Sequence, residues 1–385
     1  MSMNKMNIAM FCMGSHGGST EVAIDIAVSM KKRGHDCTIY AYEDGHRDRL
    51  TEAGIRLRTP QSLDYPLFQS IKTDFGFLVA FEKDHKQKPF DLIHVHYAVP
   101  LAHVMSNLHD IYGLPCILTF HGSDVTIIPD IMNVSMISGL IRSSTKHLTV
   151  ASRFLERKAR DVYGLACKDI RLIPNTVSDE FFEEYEAEAM ERPYFLHCSN
   201  LRPVKRVWDI VLAMCCIKKR HEYADLPVMP QLKVAGDGPD MHELRLLVRN
   251  NKLEDDVIFC GHIESRRELA QLMRSAKALV LASFTESQPL VILESMAVGT
   301  PVICSNFESA EELVGTNGER GWTFDIGDSH DMADVMIRLL KEPEKAEAAS
   351  KRARGYMLEN HQSSKVMQTY CSLYGEALGI ECPQA

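Results

Sequence analysis

Eleven cysteines are present, yet no two stand as a Cys-x-x-Cys pair. An odd, scattered set of this kind encodes no disulfide framework; it points to a reducing cytoplasm and mostly buried thiols. Adjacent Cys215 and Cys216 fall in a helix-like stretch, where neighbouring side chains diverge, and read as packing. Positive charge is not in excess either. Against 52 Asp and Glu stand 43 Lys and Arg, a net charge of −9, which excludes a general binder of nucleic-acid backbones. No apolar run approaches the roughly 20 residues that cross a bilayer. The start, MSMNKMNIAMFCMG, has some look of a signal peptide. Its apolar part is short and runs straight into SHGGST, so it reads as a first strand. There is no internal repeat, no low-complexity segment and no Asp-x-Asp pair placed for a divalent ion.

What is there is ordinary for a soluble globular protein. The 385 residues, 45% apolar and 25% charged, suggest two domains. MNIAMF (6–11) reads as a strand. STEVAIDIAVSMKKRG reads as an amphipathic helix opened by a Ser/Thr cap. CTIYAYE, DLIHVHY, PCILTF and HLTVAS follow as short strands separated by helical periodicity, and IRLIPNTV (170–177) closes the series. An acidic stretch, SDEFFEEYEAEAMERP (178–193), reads as a linker. The alternation restarts with YFLHCSN, QLKVAGD, DVIFCG, ALVLAS and PVICSN, and a helical tail begins near 342. Two such runs predict two doubly wound α/β domains with parallel sheets and ligands at the strands' carboxyl ends.

Five stretches at those ends carry candidate chemistry. In FCMGSHGGSTEVA (11–23), Gly14, Gly17 and Gly18 stand between strand and helix, where backbone can approach an anion; a tight turn explains them as well. The spacing is not Gly-x-Gly-x-x-Gly, which argues against a nicotinamide oxidoreductase. In HVHYA (94–98), alternation puts His94 and His96 on one face. With His121 of LTFHGSD they could form a zinc triad, but no carboxylate or cysteine stands at ligand spacing. His121 follows a strand directly, where doubly wound domains display active residues. In CSNLRPVKRVWD, Arg202, Lys205 and Arg206 gather before a helix, a set able to neutralise a diphosphate; a solvated basic turn is the bland alternative, and Asp209 is placed to pair with one of them. VAGDGPD (234–240) is a glycine turn with a proline at a helix start. In ESQPLVILE (286–294), Pro289 suits a first helical position. The N–H groups beyond it suit a phosphate, and Glu294, about a turn and a half inside, suits the diol of a ribose.

Together these stretches resemble the retaining nucleotide-sugar glycosyltransferases of family 4. ESQPLVILESMAVGTPVICSN matches that family's Glu-x7-Glu region, with SNLRPVKR, AGDGPD, VIFCGHI and the first-loop GG in the expected order. The resemblance implies the GT-B fold. Its expected bounds are an acceptor-binding Rossmann-like domain over 1–178, a nucleotide-sugar-binding one over 179–360 facing it across a cleft, and a helix over 361–385 returning to the first. DYPLF (64–68), HVHYAVPLA, TFHGSDVT and SNLRPVKRVWD further resemble the branch that moves N-acetylglucosamine from UDP to L-malate in bacillithiol assembly.

Carried over by position, His121, Lys205, Arg202 and Glu286 would be catalytic, with Lys205 and Arg202 on the leaving diphosphate and Glu286 on the donor sugar. Gly17, Gly18, Asn200, Gly236, Gly261, His262, Ile263, Gln288, Pro289, Leu290, Val291 and Glu294 would bind the donor. Ser19, Tyr97, Ser123 and Arg153 would meet the acceptor. Two departures stand out. Most of the family has an arginine at the place of Asn200, so Arg202 must cover it, and Gln288-Pro289 replaces the usual Phe-Gly. The wording of HLTVASRFLERKA also differs from that branch. No metal or other cofactor is expected. The partners would be small-molecule substrates, the place the cytoplasm, and a homodimer is one assembly open to the chain. Polysaccharide, lipid-linked or antibiotic acceptors, a UDP-sugar epimerase and a non-catalytic nucleotide binder are the competing readings.

Overall fold

The computed structural model describes residues 5–14, 17–60, 74–165, 170–222, 226 and 228–380; the segment DYPLF lies outside them. The chain divides into two compact units. One runs to Thr176 and resumes at Ser363; the other is Val177–Gln362.

The first unit holds seven parallel strands: β1 (Asn7–Cys12), β2 (Asp36–Ala41), β3 (Arg56–Arg58), β4 (Leu92–His96), β5 (Cys116–Thr119), β6 (His147–Val150) and β7 (Ile170–Leu172). Their order is β3-β2-β1-β4-β5-β6-β7, with Ala9 opposite Thr38 on one side and Ile93 on the other. Every residue of β1 is buried, as expected of a central parallel strand covered on both faces. The second unit holds six: β8 (Tyr194–Cys198), β9 (Gln231–Ala235), β10 (Val257–Gly261), β11 (Ala278–Leu281), β12 (Val302–Ser305) and β13 (Trp322–Phe324), in the order β10-β9-β8-β11-β12-β13. Alternation along its strands feeds two cores. Phe195, Val234 and Val280 enter one, and Tyr194, Leu196, Leu279 and Leu281 the other.

The edge strands β3 and β13 escape a pattern search, because Arg-Leu-Arg and Trp-Thr-Phe are three residues long. The acidic stretch after Val177 is not a free linker. Its residues Asp179–Phe182 form a 3-10 turn, and Phe181 is fully buried in the second unit's core. Two aromatic side chains outweigh the surrounding carboxylates there, because each buries far more apolar area than a charged neighbour exposes. Helix Pro343–Asn360 belongs to the second unit and helix Ser363–Leu378 to the first, where Tyr374 is buried beneath the sheet. Of the nine described cysteines, four are buried, fewer than the sequence suggested, and all nine are free thiols. No helix among the described residues is long and apolar enough to cross a membrane.

Candidate active site

In each sheet the strand order reverses at one point, between β1 and β4 and between β8 and β11. Loops leaving neighbouring strands diverge there and open a crevice at the carboxyl ends. The candidate residues fall at these two places.

In the second unit the β8 loop carries Lys205 at the end of a 3-10 turn, Pro203–Lys205. Lys205 Nζ lies 2.5 Å from Glu286 Oε1 of the β11 loop, with both side chains mostly covered. Three further bonds fix the pair. The Phe284 N–H donates to the Val204 carbonyl at 2.8 Å, tying one loop to the other. The Ser283 hydroxyl donates to Glu286 Oε1 at 2.7 Å, and the Ser309 hydroxyl to the Glu286 carbonyl at 2.9 Å. The supporting serines carry no sequence signal of their own, apart from Ser283 standing three residues before Glu286. The structure thus joins two residues expected to act on different parts of a donor. Any anion approaching Lys205 would have to compete with Glu286 for its charge.

Arg206 is in part a correction, although its pairing with Asp209 is one that the spacing allowed. It does not join Arg202 and Lys205 as a third free cation. Its Nε lies 2.6 Å from the buried Asp209 and its guanidinium packs on Trp208. Burial of the Asp209 carboxylate demands a partner, and Arg206 three residues back supplies it. Arg202 is exposed, and Asn200 is half-buried beside it. Pro289 is also corrected. It is the N-cap of helix Leu290–Val298, not its first residue. Its fixed φ suits the cap, and its carbonyl takes the N–H of Ile292 at 3.1 Å. The N–H groups of Leu290 and Val291 therefore precede the first helical bond and face the positive end of the dipole. Gln288 just before is buried. Glu294, the fifth helical residue, is half-buried. The Cys198 thiol at the end of β8 is pushed up to about 12 by burial first and then by the Glu294 carboxylate. Glu294 therefore stands at the same end of the sheet as Lys205.

Gly236 is needed for a close crossing of chains: φ is +122°, and a Cβ would lie 1.9 Å from the Ser199 carbonyl oxygen. Its N–H donates to the Gly261 carbonyl at 2.7 Å. Gly261 and Ile263 are half-covered and His262 is exposed, all at the carboxyl end of β10.

In the first unit the expected Ser/Thr cap is absent. Helix Gly18–Lys32 begins one residue before Ser19, with Gly17 as its extended N-cap. The Thr20 hydroxyl instead accepts from the Gly14 N–H at 3.2 Å, folding the loop back on itself. Gly18 is exposed and nothing lies within 4 Å of where its Cβ would be.

At the end of β4, Tyr97 has φ +95°, a strained conformation for a residue with a side chain. Its hydroxyl is hydrogen-bonded to that of Ser123, and its ring stacks on His121 with 12° between planes. His121 Nε2 is 3.0 Å from Nδ1 of the fully buried His96. His94, on the same face, is bonded to Tyr374 and Thr119, so the two strand histidines sit in a packed network. Burial holds His121 down to about 3, and His94 likewise to about 3 with help from the His121 charge. Arg153 is exposed at the end of β6, where Ser152 caps the following helix.

Asp124 escaped sequence reasoning, although an acid three residues after His121 at a helix start is a readable signal. Fully buried, it accepts the N–H groups of His121 at 3.1 Å, Gly122 at 2.8 Å and Ala98 at 3.1 Å. It thereby staples the β5 loop to the β4 loop. Burial pushes its carboxyl up despite those donors. Asp124→Ala strands three buried N–H groups, so a loss of about 3 kcal/mol is expected in urea unfolding. Asp124→Asn, which keeps one acceptor oxygen, should lose less. Equal stability of Asp124→Ala and the parent would discard the staple.

Known proteins resemble this chain along most of its length. Glycosyltransferase Family 4 matches residues 16–181, and Glycosyl transferases group 1 matches residues 178–356. N-acetyl-alpha-D-glucosaminyl L-malate synthase of Bacillus anthracis is 27% identical over 97% of this chain and 98% of its own. Glycogen synthase of Mycobacterium tuberculosis is 24% identical over 76% of this chain and 70% of its own. Among solved structures, Anabaena Alr3699/HepE in complex with UDP and glucose has a TM-score of 0.81 at 18% identity, covering 96% of this chain and all of that one. Sucrose-phosphate synthase from Thermosynechococcus elongatus has a TM-score of 0.81 at 20% identity, covering 97% and 100%. Those two likenesses show the GT-B fold. With the two family descriptions meeting near residue 180 and running together from 16 to 356, the chain belongs to the family 4, group 1 glycosyltransferases, enzymes that transfer hexosyl units.

Proposed function

We propose that the chain transfers N-acetylglucosamine from its UDP ester to the hydroxyl of L-malate, with retention at the anomeric carbon and without a metal. One observation carries the choice of substrates: the likeness to the Bacillus anthracis malate synthase extends over nearly the full length of both chains. The bond from the anomeric carbon to the diphosphate breaks, and its electron pair leaves with UDP. The malate oxygen bonds the same face of the sugar, and its proton passes to the departing diphosphate oxygen. The transition state is oxocarbenium-like. Lys205 and Arg202, with the N–H groups of Leu290 and Val291, take up the charge that develops on UDP, which is why no divalent ion is required. Glu286 holds the donor sugar, Glu294 the ribose, and backbone at Gly261–Ile263 the uracil. His121 meets a sugar hydroxyl. Ser19, Tyr97, Ser123 and Arg153 receive the acceptor's carboxylates beside Gly18.

Mass spectrometry of reactions pairing UDP- and GDP-sugars with malate and a panel of hydroxyl compounds tests this. UDP-N-acetylglucosamine with malate should yield the glycoside and one UDP per product. Product only with another acceptor removes malate from the reading. Steady interconversion of sugars without UDP release would indicate an epimerase. Glu294→Ala should weaken UDP binding by about 10- to 100-fold, the worth of a charged hydrogen bond to a ribose. Unchanged UDP affinity by calorimetry discards that assignment.

A further inference from the structure

We propose that His96 is a positioning residue that holds His121 in its Nδ1–H tautomer, so that His121 meets its ligand as a hydrogen-bond donor and does not serve as a general base. The proposal rests on the placing of His121 in the transferase site and adds what that side chain does there.

His96 Nδ1 and His121 Nε2 are 3.0 Å apart. One proton, and only one, belongs between two neutral imidazoles at that distance. Burial favours the neutral form of both rings. Burial, then the charges of His94 and His121, keeps His96 far below the ordinary imidazole range, and burial does the same for His121. The proton therefore comes from one ring or the other, and the second nitrogen of His96 decides which. His96 is fully buried, and its Nε2 has no hydrogen-bond partner among the described residues. If His121 were the donor, His96 would carry its own proton on Nε2, an orphaned N–H in a dry interior. If His96 is the donor, Nε2 keeps only a lone pair there. A buried donor without a partner is the rarer and costlier of the two.

The ring of His96 has no easy way out of this choice. It packs tilted against His94, with centroids 4.1 Å apart and 38° between planes. His94 is itself pinned, 2.8 Å from the Tyr374 hydroxyl and 2.7 Å from that of Thr119. His96 thus donates from Nδ1, His121 accepts at Nε2, and the remaining proton of His121 must sit on Nδ1. The backbone of His121 is held by Asp124 and its ring is flanked by Tyr97, so the direction of that N–H is set by the fold. The ligand atom that it recognises is an oxygen with a lone pair, such as a sugar hydroxyl.

Long-range proton–nitrogen correlation spectra of the full chain, labelled with 15N at histidine, read the tautomer directly. The expected spectrum has the His121 proton on Nδ1; a proton on Nε2 overturns the proposal. This readout needs no turnover, so a chain that fails to glycosylate malate would sink the proposed function and leave the tautomer to be judged by its own spectrum. His96→Asn keeps an N–H near the place of Nδ1 and should preserve the tautomer. His96→Phe should lose it and lower kcat about tenfold, the worth of one hydrogen bond, with little change in KM. Equal kcat in both variants overturns positioning by His96. Should His96→Phe not fold, the parent and His96→Asn spectra still decide.

Discussion

Lys205→Ala is expected to lower kcat by about 10²- to 10³-fold while changing UDP affinity much less, because a preorganised charge at the leaving group is felt most in the transition state. The structure makes this a clean substitution. The tie between the two loops is a backbone bond, Phe284 N–H to the Val204 carbonyl, which survives loss of the side chain. Glu286 also keeps the Ser283 hydroxyl. A mostly covered carboxylate left with one donor costs about 1–3 kcal/mol of stability, which a melting curve separates from the loss in rate. Lys205→Arg should recover only part of kcat, since a planar fork does not replace a point charge in a socket shaped by Glu286. Steady-state kinetics with UDP release as readout decide the matter. A kcat within threefold of the parent would remove Lys205 from the chemistry.

Acidification from pH 7 to pH 5 is expected to destabilise the first unit ahead of the second. His94 and His121 are held near 3 and His96 well below the usual range, chiefly by burial. In the unfolded chain each titrates near 6.5. Between those values the unfolded state binds more protons, so stability is full above about 6.5 and falls as pH drops. At pH 5 the loss is about 2 kcal/mol for each histidine, hence about 6 kcal/mol for three, a large part of a domain's usual 5–15 kcal/mol. Asp124, raised by burial, acts with the opposite sign and offsets part of the loss toward lower pH. Among the described second-unit residues, His197 is held down to about 4 by burial, one such group set against three in the first unit. Both tryptophans, Trp208 and Trp322, belong to the second unit. Tryptophan fluorescence therefore follows that unit alone, while circular dichroism follows both. At pH 5 the dichroism should melt first, and coincident transitions at both pH values would refute the assignment.

Much of the fold could be read from short-range pattern. Runs such as NIAMFC and ALVL are short and apolar between turn residues, and β1 and β11 lie where such runs stand. Short apolar strands could be located by pattern, so His121, Lys205 and Glu286 could be placed at strand ends without coordinates. The misses share a cause. Thr20 and Gly17 at the first helix and Pro289 as a cap each depend on which neighbour wins a local contest for a hydrogen bond. Periodicity is silent on such contests. Phe181 was lost among carboxylates because composition averages over a window, whereas burial acts on single side chains.

The order of residues along the chain determined the alternation of strand and helix, the glycines at chain crossings and the placing of acids and bases at strand ends, because each follows from interactions over a few residues. Tertiary structure alone decided that Lys205 pairs with Glu286 across 81 positions and that Tyr374 closes on His94 across 280. The first pair is chosen by the order of strands in a sheet and the second by the packing of helix Ser363–Leu378 against β4, and a charge or a ring nitrogen meets only what that arrangement brings within hydrogen-bond reach.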